Sequence, residues 1–283
     1  MSFEVMRVFL KVESDLSPVF FEAGRRIGCL EWVDCVRDAE AVIVDQVVDI
    51  PQGRRVLFVG SPAELEESVP SDRDEWDGHL YLGRRYRFQP SVSALLESLQ
   101  EGQLGDLGIL RLHRWFGEAT AAARRRDDLL DAFDVALQVF GSVPDRIYAL
   151  TRGGEGTMQL HFGFPGNGMA VMDFAWELPA GRSYESLHLI GDRGAGYADD
   201  HRNMSLLYGG NDPLALPVES SEVEIASMLT SFLAPRVDSE GGLVDGAKMR
   251  LLMLTIDAAY RSAEEKQALV WTGTAYVEGG AQS

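Results

Sequence analysis

What most constrains the fold of this chain is a change of rhythm near its middle. Up to Gly141 short apolar runs alternate with helical segments, whereas from Arg146 onward strand-like runs follow one another directly. The early runs are residues 6–12 (MRVFLKV), 27–33, 41–45 (AVIVD) and 55–59 (RVLFV), with helical character over 16–26. Buried runs linked by helical crossovers predict a parallel sheet. The later runs, 147–151, 157–163, 169–176 and 184–190, are separated by turns such as Gly153-Gly154-Glu155-Gly156 and Pro165-Gly166-Asn167-Gly168. Those turns predict hairpins and an antiparallel sheet.

The expected fold class is α/β, becoming α+β in its C-terminal part. A shortened parallel sheet is followed by a larger domain with an open, mainly antiparallel sheet flanked by helices. A chain of 283 residues suffices for two such domains. The charged, proline-containing stretch 68–78 (SVPSDRDEWDG) is a natural junction, which gives domains 1–78 and 79–283. Helices are expected over 91–101, 127–140, 221–233 and 246–265, and a strand over 109–115. Val92, Leu95, Leu96 and Leu99 share one face of the first of these. Met249, Leu252, Met253 and Ile256 fall at helical spacing and read as core filler, not as a ligand box. In the run 169–176 both faces are apolar, so the sheet should be covered on both sides. Helices cover one side, and a second copy of the chain is the natural cover for the other, which predicts a homo-oligomer through the C-terminal sheet.

The first strand ends in Glu13-Ser14-Asp15, and no glycine follows before Gly24. A dinucleotide-binding strand ends in G-x-G-x-x-G, whose glycines let the backbone turn and approach a pyrophosphate at the next helix. Here two carboxylates stand where phosphates would lie against a helix N-terminus, a repulsion of about 1 kcal/mol at close range in water. The first part is thus Rossmann-like in layout without the Rossmann phosphate cradle.

Composition removes several classes. The chain carries 26 Lys and Arg against 44 Asp and Glu, a net charge of −18. That balance argues against nucleic acid and anionic membrane as partners. Two cysteines, Cys29 and Cys35, make neither a disulfide scaffold nor a C-x-x-C site, and partly buried reduced thiols are expected. The apolar N-terminus is broken by Glu4, Arg7 and Lys11, and no run reaches the ~20 apolar residues of a membrane helix. A cytoplasmic location without membrane contact is expected.

Several segments together resemble the Gfo/Idh/MocA oxidoreductases, the relatives of glucose–fructose oxidoreductase and inositol dehydrogenase. They are Arg87-Phe88-Gln89-Pro90 before a helix and Glu101-Gly102-Gln103-Leu104-Gly105-Asp106-Leu107-Gly108 after it. To these are added 127–141, the glycine-punctuated sheet, Leu189-Ile190-Gly191-Asp192-Arg193-Gly194-Ala195, and Ala258-Ala259-Tyr260-Arg261-Ser262-Ala263. The likeness spans roughly residues 80–270. It implies a Rossmann domain for NAD(P) and an open-sheet domain for the substrate. It also implies a lysine in an E-K-P motif and a histidine in a D-x-x-x-H-x-x-D helix, both for proton transfer beside the hydride. On this sequence Ser61 stands at the lysine position. Asp127 and Asp134 match the flanking aspartates, and Asp131 stands at the histidine position. Beyond Lys11 the first domain holds no lysine.

Serine has no cationic state, and an aspartate with an ordinary pKa near 4 is a weak base. The expectation is therefore an oxidoreductase-fold protein that is degenerate, uses no NAD(P) and is kept for ligand binding, assembly or regulation. The alternative is an active enzyme on a sugar-like or polyol substrate with NAD or NADP in a rebuilt site. Its base would be Asp127 or Asp131, and Arg84, Arg85 or Arg87 would hold an anionic substrate.

Two further clusters have metal-ligand residue types. Asp127-Asp128-Leu129-Leu130-Asp131 spells DDxxD, but a mixed α/β chain without a second acidic motif fits an acidic helix start better. Arg124-Arg125-Arg126 should then pair locally with these acids. Asp199-Asp200-His201 reads first as a hydrogen-bonded loop anchor and second as a weak metal site. His113, His161 and His188 sit on strands and are expected to be structural. No G-x-S-x-G, P-loop or H-E-x-x-H pattern occurs.

Overall fold

The computed structural model describes residues 5–13, 16–46, 54–61, 65, 79–116, 122–152, 156–177, 183–199, 204–209, 213–217, 221–234 and 243–279. The chain divides into two compact units, Met1–Gln89 with Glu219–Arg250, and Pro90–Val218 with Leu251–Ser283.

The first unit is built on strands β1 (Met6–Lys11), β2 (Leu30–Val33), β3 (Ala41–Val44), β4 (Arg55–Phe58) and β5 (Leu80–Leu82). Their order is β2-β1-β3-β4-β5, all parallel, and Val244–Asp245 adds an antiparallel edge beside β5. β3 is buried at every position, as a strand covered on both faces must be. Helix α1 (Ser17–Arg25) follows β1, and Gly24 lets it approach β2: a Cβ there would meet the Trp32 indole at 2.6 Å.

The boundary drawn at residue 78 falls before β5, which pairs with β4. The unit also takes a segment from far along the chain, the helix Ser221–Leu233. Its Ile225, Met228, Leu229 and Phe232 are fully buried in one core with Val8, Phe20, Ile43 and Leu57. The apolar stripe of that helix is legible in the sequence; where it docks is not.

The second unit begins with α2 (Pro90–Gln100), β6 (Leu107–Trp115) and α3 (Ala122–Phe140). Strands β7 (Arg146–Arg152), β8 (Thr157–Gly163), β9 (Met169–Ala175), β10 (Tyr184–Gly191) and β11 (Gly194–Asp199) follow. The ten-stranded sheet is completed by β12 (Met204–Gly209), β13 (Pro213–Pro217), β15 (Leu269–Trp271) and β16 (Tyr276–Glu278), with β14 the edge strand Val244–Asp245 of the first unit. All pairings in this sheet are antiparallel except β6 with β9. The molecule is thus α/β with a parallel sheet and a second, mainly antiparallel one.

One face of the large sheet is core. Leu110 and Leu112 of β6, Met158, Leu160 and Phe162 of β8, and Leu187 and Leu189 of β10 are buried. Phe133 of α3 meets Phe162 edge-on, with ring centroids 4.9 Å apart. The final long helix runs from Gly246 to Glu265, and its Ser262 hydroxyl accepts from the Ala149 amide of β7. The opposite face is not a second core. On β9 Met169 is 52% exposed while Val171 and Asp173 are half-buried. Among the described residues the sheet is therefore covered on one side only.

The two glycine-rich segments of the family resemblance meet in space. Asp106 and Asp192 exchange backbone and side-chain hydrogen bonds, the Asp106 amide donating to the Asp192 carboxylate at 2.8 Å. Gly105 has φ +70, and a Cβ on it would lie 1.9 Å from that carboxylate. The motif is a turn-on-turn lock, which is why it needs glycine there.

Candidate functional site

In a doubly wound sheet the ligand crevice lies outside the carboxyl ends of the strands, where the strand order reverses. Here the reversal is between β1 and β3. The end of β1 is occupied by its own neighbours. The Glu13 amide donates to an Asp45 carboxylate oxygen at 2.8 Å, and the Gln46 side-chain amide donates to the Glu13 carboxylate at 3.0 Å. Gly60, after β4, allows close approach to this rim, since a Cβ there would be 2.0 Å from the Asp45 carbonyl oxygen. Helix α1 has Leu16 at its N-cap and no side-chain cap. Ser14 and Asp15 lie outside the described residues. The described rim therefore holds two carboxylates, and the Glu13 amide is already donated to Asp45.

Ser61 stands at the carboxyl end of β4, half-buried, and its carbonyl oxygen accepts from the Leu65 amide. Beyond β5, Arg84 is half-buried and Arg85 donates to the Glu224 carboxylate at 2.9 Å. Arg87 is 6% exposed within a 3-10 turn, Tyr86–Phe88. Arg85 is thus tied by an ion pair and Arg87 is withdrawn from solvent, which leaves neither well placed to clamp an anionic substrate.

In the second unit Asp127, Asp131 and Asp134 are brought together on α3 as the spacing requires. Asp127 and Asp131 are half-buried and Asp134 is 1% exposed. The helix begins at Ala122, so Asp127 and Asp128 sit well inside it and not in its first turn. Alanine and arginine are good helix formers and carry the helix upstream of the acids. The arginine run also reaches beyond the adjacent acids, while Arg124 acts electrostatically on Asp128. Arg125 reaches Glu177 at 2.8 Å and Arg126 reaches Asp257 at 2.9 Å.

The side chain that organises this region is Arg114 at the end of β6. Its Nη1 lies 3.8 Å from Asp128 Oδ1 and 3.6 Å from Asp131 Oδ2, and its Nε donates to Glu185 at 3.1 Å. Nη1 also donates to the Asp128 carbonyl, and the Trp176 indole N–H donates to the Asp128 carboxylate at 2.9 Å. One buried guanidinium thus faces three carboxylates. Burial pushes the Asp128 carboxyl above the usual carboxylate range, and the Arg114 charge and the indole hydrogen bond oppose that shift. Asp131, at the position where the resemblance places a histidine, is a counter-ion of Arg114. The sequence carries a signal for this arginine: β6 alternates, and Arg114 falls on the apolar phase of Leu110 and Leu112.

The remaining candidates divide. Asp199 ends β11, 3.4 Å from the Tyr184 hydroxyl, while Asp200 and His201 lie outside the described residues. Among the described residues no three His, Cys, Asp or Glu side chains converge as a metal would require. Cys29 is half-buried, but Cys35 is exposed. His113 and His188 lie on the open face of the large sheet, where His113 Nδ1 is 3.1 Å from an Asp173 carboxylate oxygen. No helix among the described residues is long and apolar enough to cross a membrane.

A parallel sheet with a crevice at its strand-order reversal, followed by a ten-stranded open sheet covered by helices, is the fold of the Gfo/Idh/MocA-type oxidoreductases, and this chain has it over nearly its whole length. It is similar to a myo-inositol dehydrogenase from Corynebacterium glutamicum, with TM-score 0.74 and 12% identity over 95% of this chain and 100% of that one. An oxidoreductase from Agrobacterium radiobacter, solved with NAD+, L-tartaric acid and magnesium, superposes with TM-score 0.68 and 11% identity over 94% and 98% of the two chains. Levoglucosan dehydrogenase, solved with NADH and L-sorbose, does so with TM-score 0.67 and 13% identity over 94% and 99%. No family model matches the sequence, and no curated protein matches it. At such identities the likeness is one of fold.

Proposed function

We propose that this protein keeps the Gfo/Idh/MocA-type fold without its nicotinamide chemistry, and serves to bind a small-molecule ligand or to build an assembly. The observation that carries this reading is the end of β1, where the Glu13 and Asp45 carboxylates stand together and the Glu13 amide is spent on Asp45. A pyrophosphate brought there meets two carboxylates beside an amide already in use, at a cost that grows as water is excluded. Ser61 and Asp131 support the same reading. Serine has no cationic state to offer for proton transfer beside a hydride, and the Asp131 carboxylate is held by Arg114. The nucleotide content of the protein purified from cells tests this: mass spectrometry should find no stoichiometric NAD(P), and finding it would defeat the proposal.

A second reading is an active oxidoreductase on a sugar-like or polyol substrate with NAD or NADP in a rebuilt site. Its support is that the Asp131 side chain keeps 14% of its surface open beside Arg114. On that reading Asp131→Asn abolishes turnover in a folded protein.

The assembly is proposed to be a homo-oligomer joined through the open face of the large sheet. That face leaves Met169 at 52%, Leu150 at 40% and Trp115 at 39% exposure. Among the described residues it carries Arg111, Arg146 and Arg152 against Asp173 and Asp199, and no lysine. In a chain of net charge −18 it is a face on which acidic groups do not outnumber basic ones, so two copies joined there bring little of that excess charge together.

A further inference from the structure

The hairpin that joins β8 to β9 brings an amide side chain and a glycine nitrogen together. It runs Phe164-Pro165-Gly166-Asn167-Gly168 and is closed by the Phe164 amide, which donates to the Gly168 carbonyl at 2.8 Å. Gly166 and Asn167 both take left-handed backbone, at φ +85 and +69. Asn167 is exposed, and among the described hydrogen bonds none uses its side chain. None uses the Gly168 N–H either. Gly168 itself is buried against the last residue of α3. A Cβ on it would lie 2.5 Å from the Phe140 ring, which stacks on Phe164 with centroids 4.0 Å apart. The chain holds three asparagines, Asn167, Asn203 and Asn211, and only Asn167 precedes a glycine.

We propose that Asn167 is a site of spontaneous covalent modification, at which the side-chain amide is lost through a cyclic imide and the backbone is partly rerouted. The Gly168 backbone nitrogen, on losing its proton, attacks the Asn167 Cγ. The new N–Cγ bond closes a five-membered ring, the bond from Cγ to the side-chain nitrogen breaks, and ammonia leaves with the proton. Water then opens the ring at either carbonyl. One opening gives aspartate; the other gives isoaspartate, whose main chain runs through Cβ and Cγ and is one atom longer. The sum is amide plus water to acid plus ammonia, with no oxidant, cofactor or second protein. Three features of this turn favour ring closure. Gly168 has no side chain to shield its nitrogen. The Asn167 amide is held by no described partner. An exposed tip closed by a single backbone bond can also rotate to bring the nitrogen onto Cγ. The two products differ in consequence. Aspartate keeps the turn, because like asparagine it tolerates left-handed backbone. Isoaspartate lengthens the loop that the Phe164–Gly168 bond closes, and shifts Gly168 against a ring that leaves it no space for even a methyl group.

Peptide mapping by mass spectrometry of the full chain, kept folded for weeks at pH 8 and at pH 5.5 and read against a fresh sample, tests the proposal. The peptide carrying Asn167 should gain the mass of an amide-to-acid exchange and split into two chromatographic products. The change should be faster at pH 8, because the attacking nitrogen must lose a proton, and should run ahead of any change at Asn203 or Asn211. Asn167→Gln, whose longer side chain must close a six-membered ring, should keep its amide over the same period. Thermal unfolding then reads the consequence: Asn167→Asp should unfold with the fresh chain, and the isolated isoaspartyl form should unfold at a lower temperature. An Asn167 peptide unchanged at pH 8, or one that changes no faster than those of Asn203 and Asn211, would overturn the assignment of the site. An isoaspartyl form as stable as Asn167→Asp would overturn the part given to the Phe140 contact.

Discussion

Replacing Arg114 by methionine tests how the centre of the second unit is held. Arg114 is 8% exposed and its guanidinium is the common partner of Asp128, Asp131 and Glu185, at 3.8, 3.6 and 3.1 Å. Methionine fills similar space but leaves three carboxylates facing one another, with Asp128 only 5% exposed. Breaking a buried ion pair from one side costs about 3–5 kcal/mol, a large part of the ~5–15 kcal/mol that holds an ordinary domain. The deficit should depend on pH with a definite sign. Burial already raises the Asp128 carboxyl and Arg114 opposes this, so the variant raises it further. A carboxyl that holds its proton more tightly folded than unfolded costs stability above its folded pKa, and the cost shrinks as pH falls toward ~4. Urea unfolding followed by tryptophan fluorescence should therefore give a loss near 3–5 kcal/mol at pH 7 and a clearly smaller one at pH 5. Asp128→Asn added to the variant, which keeps an oxygen for the Trp176 indole, should recover part of the loss at pH 7. A loss under 1 kcal/mol, or one that grows in acid, would refute the reasoning.

Other outcomes follow from single contacts. Gly105→Ala puts a Cβ 1.9 Å from the Asp192 carboxylate at φ +70, so it should cost about 1–3 kcal/mol by thermal unfolding, while Gly102→Ala, with equal φ but open space, should cost less. Tyr276 donates to the Pro144 carbonyl at 2.8 Å, and burial pushes its phenol up to about 12. It should then contribute a loss of stability between pH 10 and 12, because the unfolded chain can ionise there. Absorbance titration with denaturation curves should show that loss diminished in Tyr276→Phe.

Much of this architecture was written locally and is legible without coordinates. The helices at 221–233 and 246–265, the strand pattern of the first unit and the hairpin turns after Arg146 all follow from periodicity and turn chemistry, which act within a few residues. What was not legible is long-range. The helix Ser221–Leu233 returns to the first unit, and its apolar face alone does not say which core receives it. Strands such as β11 and β12 are rich in small residues or weakly alternating, so pairing in the sheet and not propensity makes them strands. For the site, the spacing of Asp127, Asp131 and Asp134 was visible. The partner of Asp131 was not, because Arg114 reaches it and Asp128 from a strand that β-sheet register places beside Glu185. Asp128, read as a helix-start acid, proves to be buried like Asp134, inside a helix that begins five residues earlier than its charges suggest. The missing glycine turn at Glu13 was visible, but the Asp45 carboxylate that takes up its amide comes from just after β3 and needed the fold to be seen.

The central claim is that the end of β1 no longer receives a nicotinamide dinucleotide. Calorimetric titration of the full chain with NAD+, NADH, NADP+ and NADPH tests it most directly. The account predicts no binding heat and no thermal stabilisation at millimolar nucleotide. Micromolar binding that survives Glu13→Ala, or any saturable binding in that range by the wild-type chain, would contradict it and put the enzyme reading first.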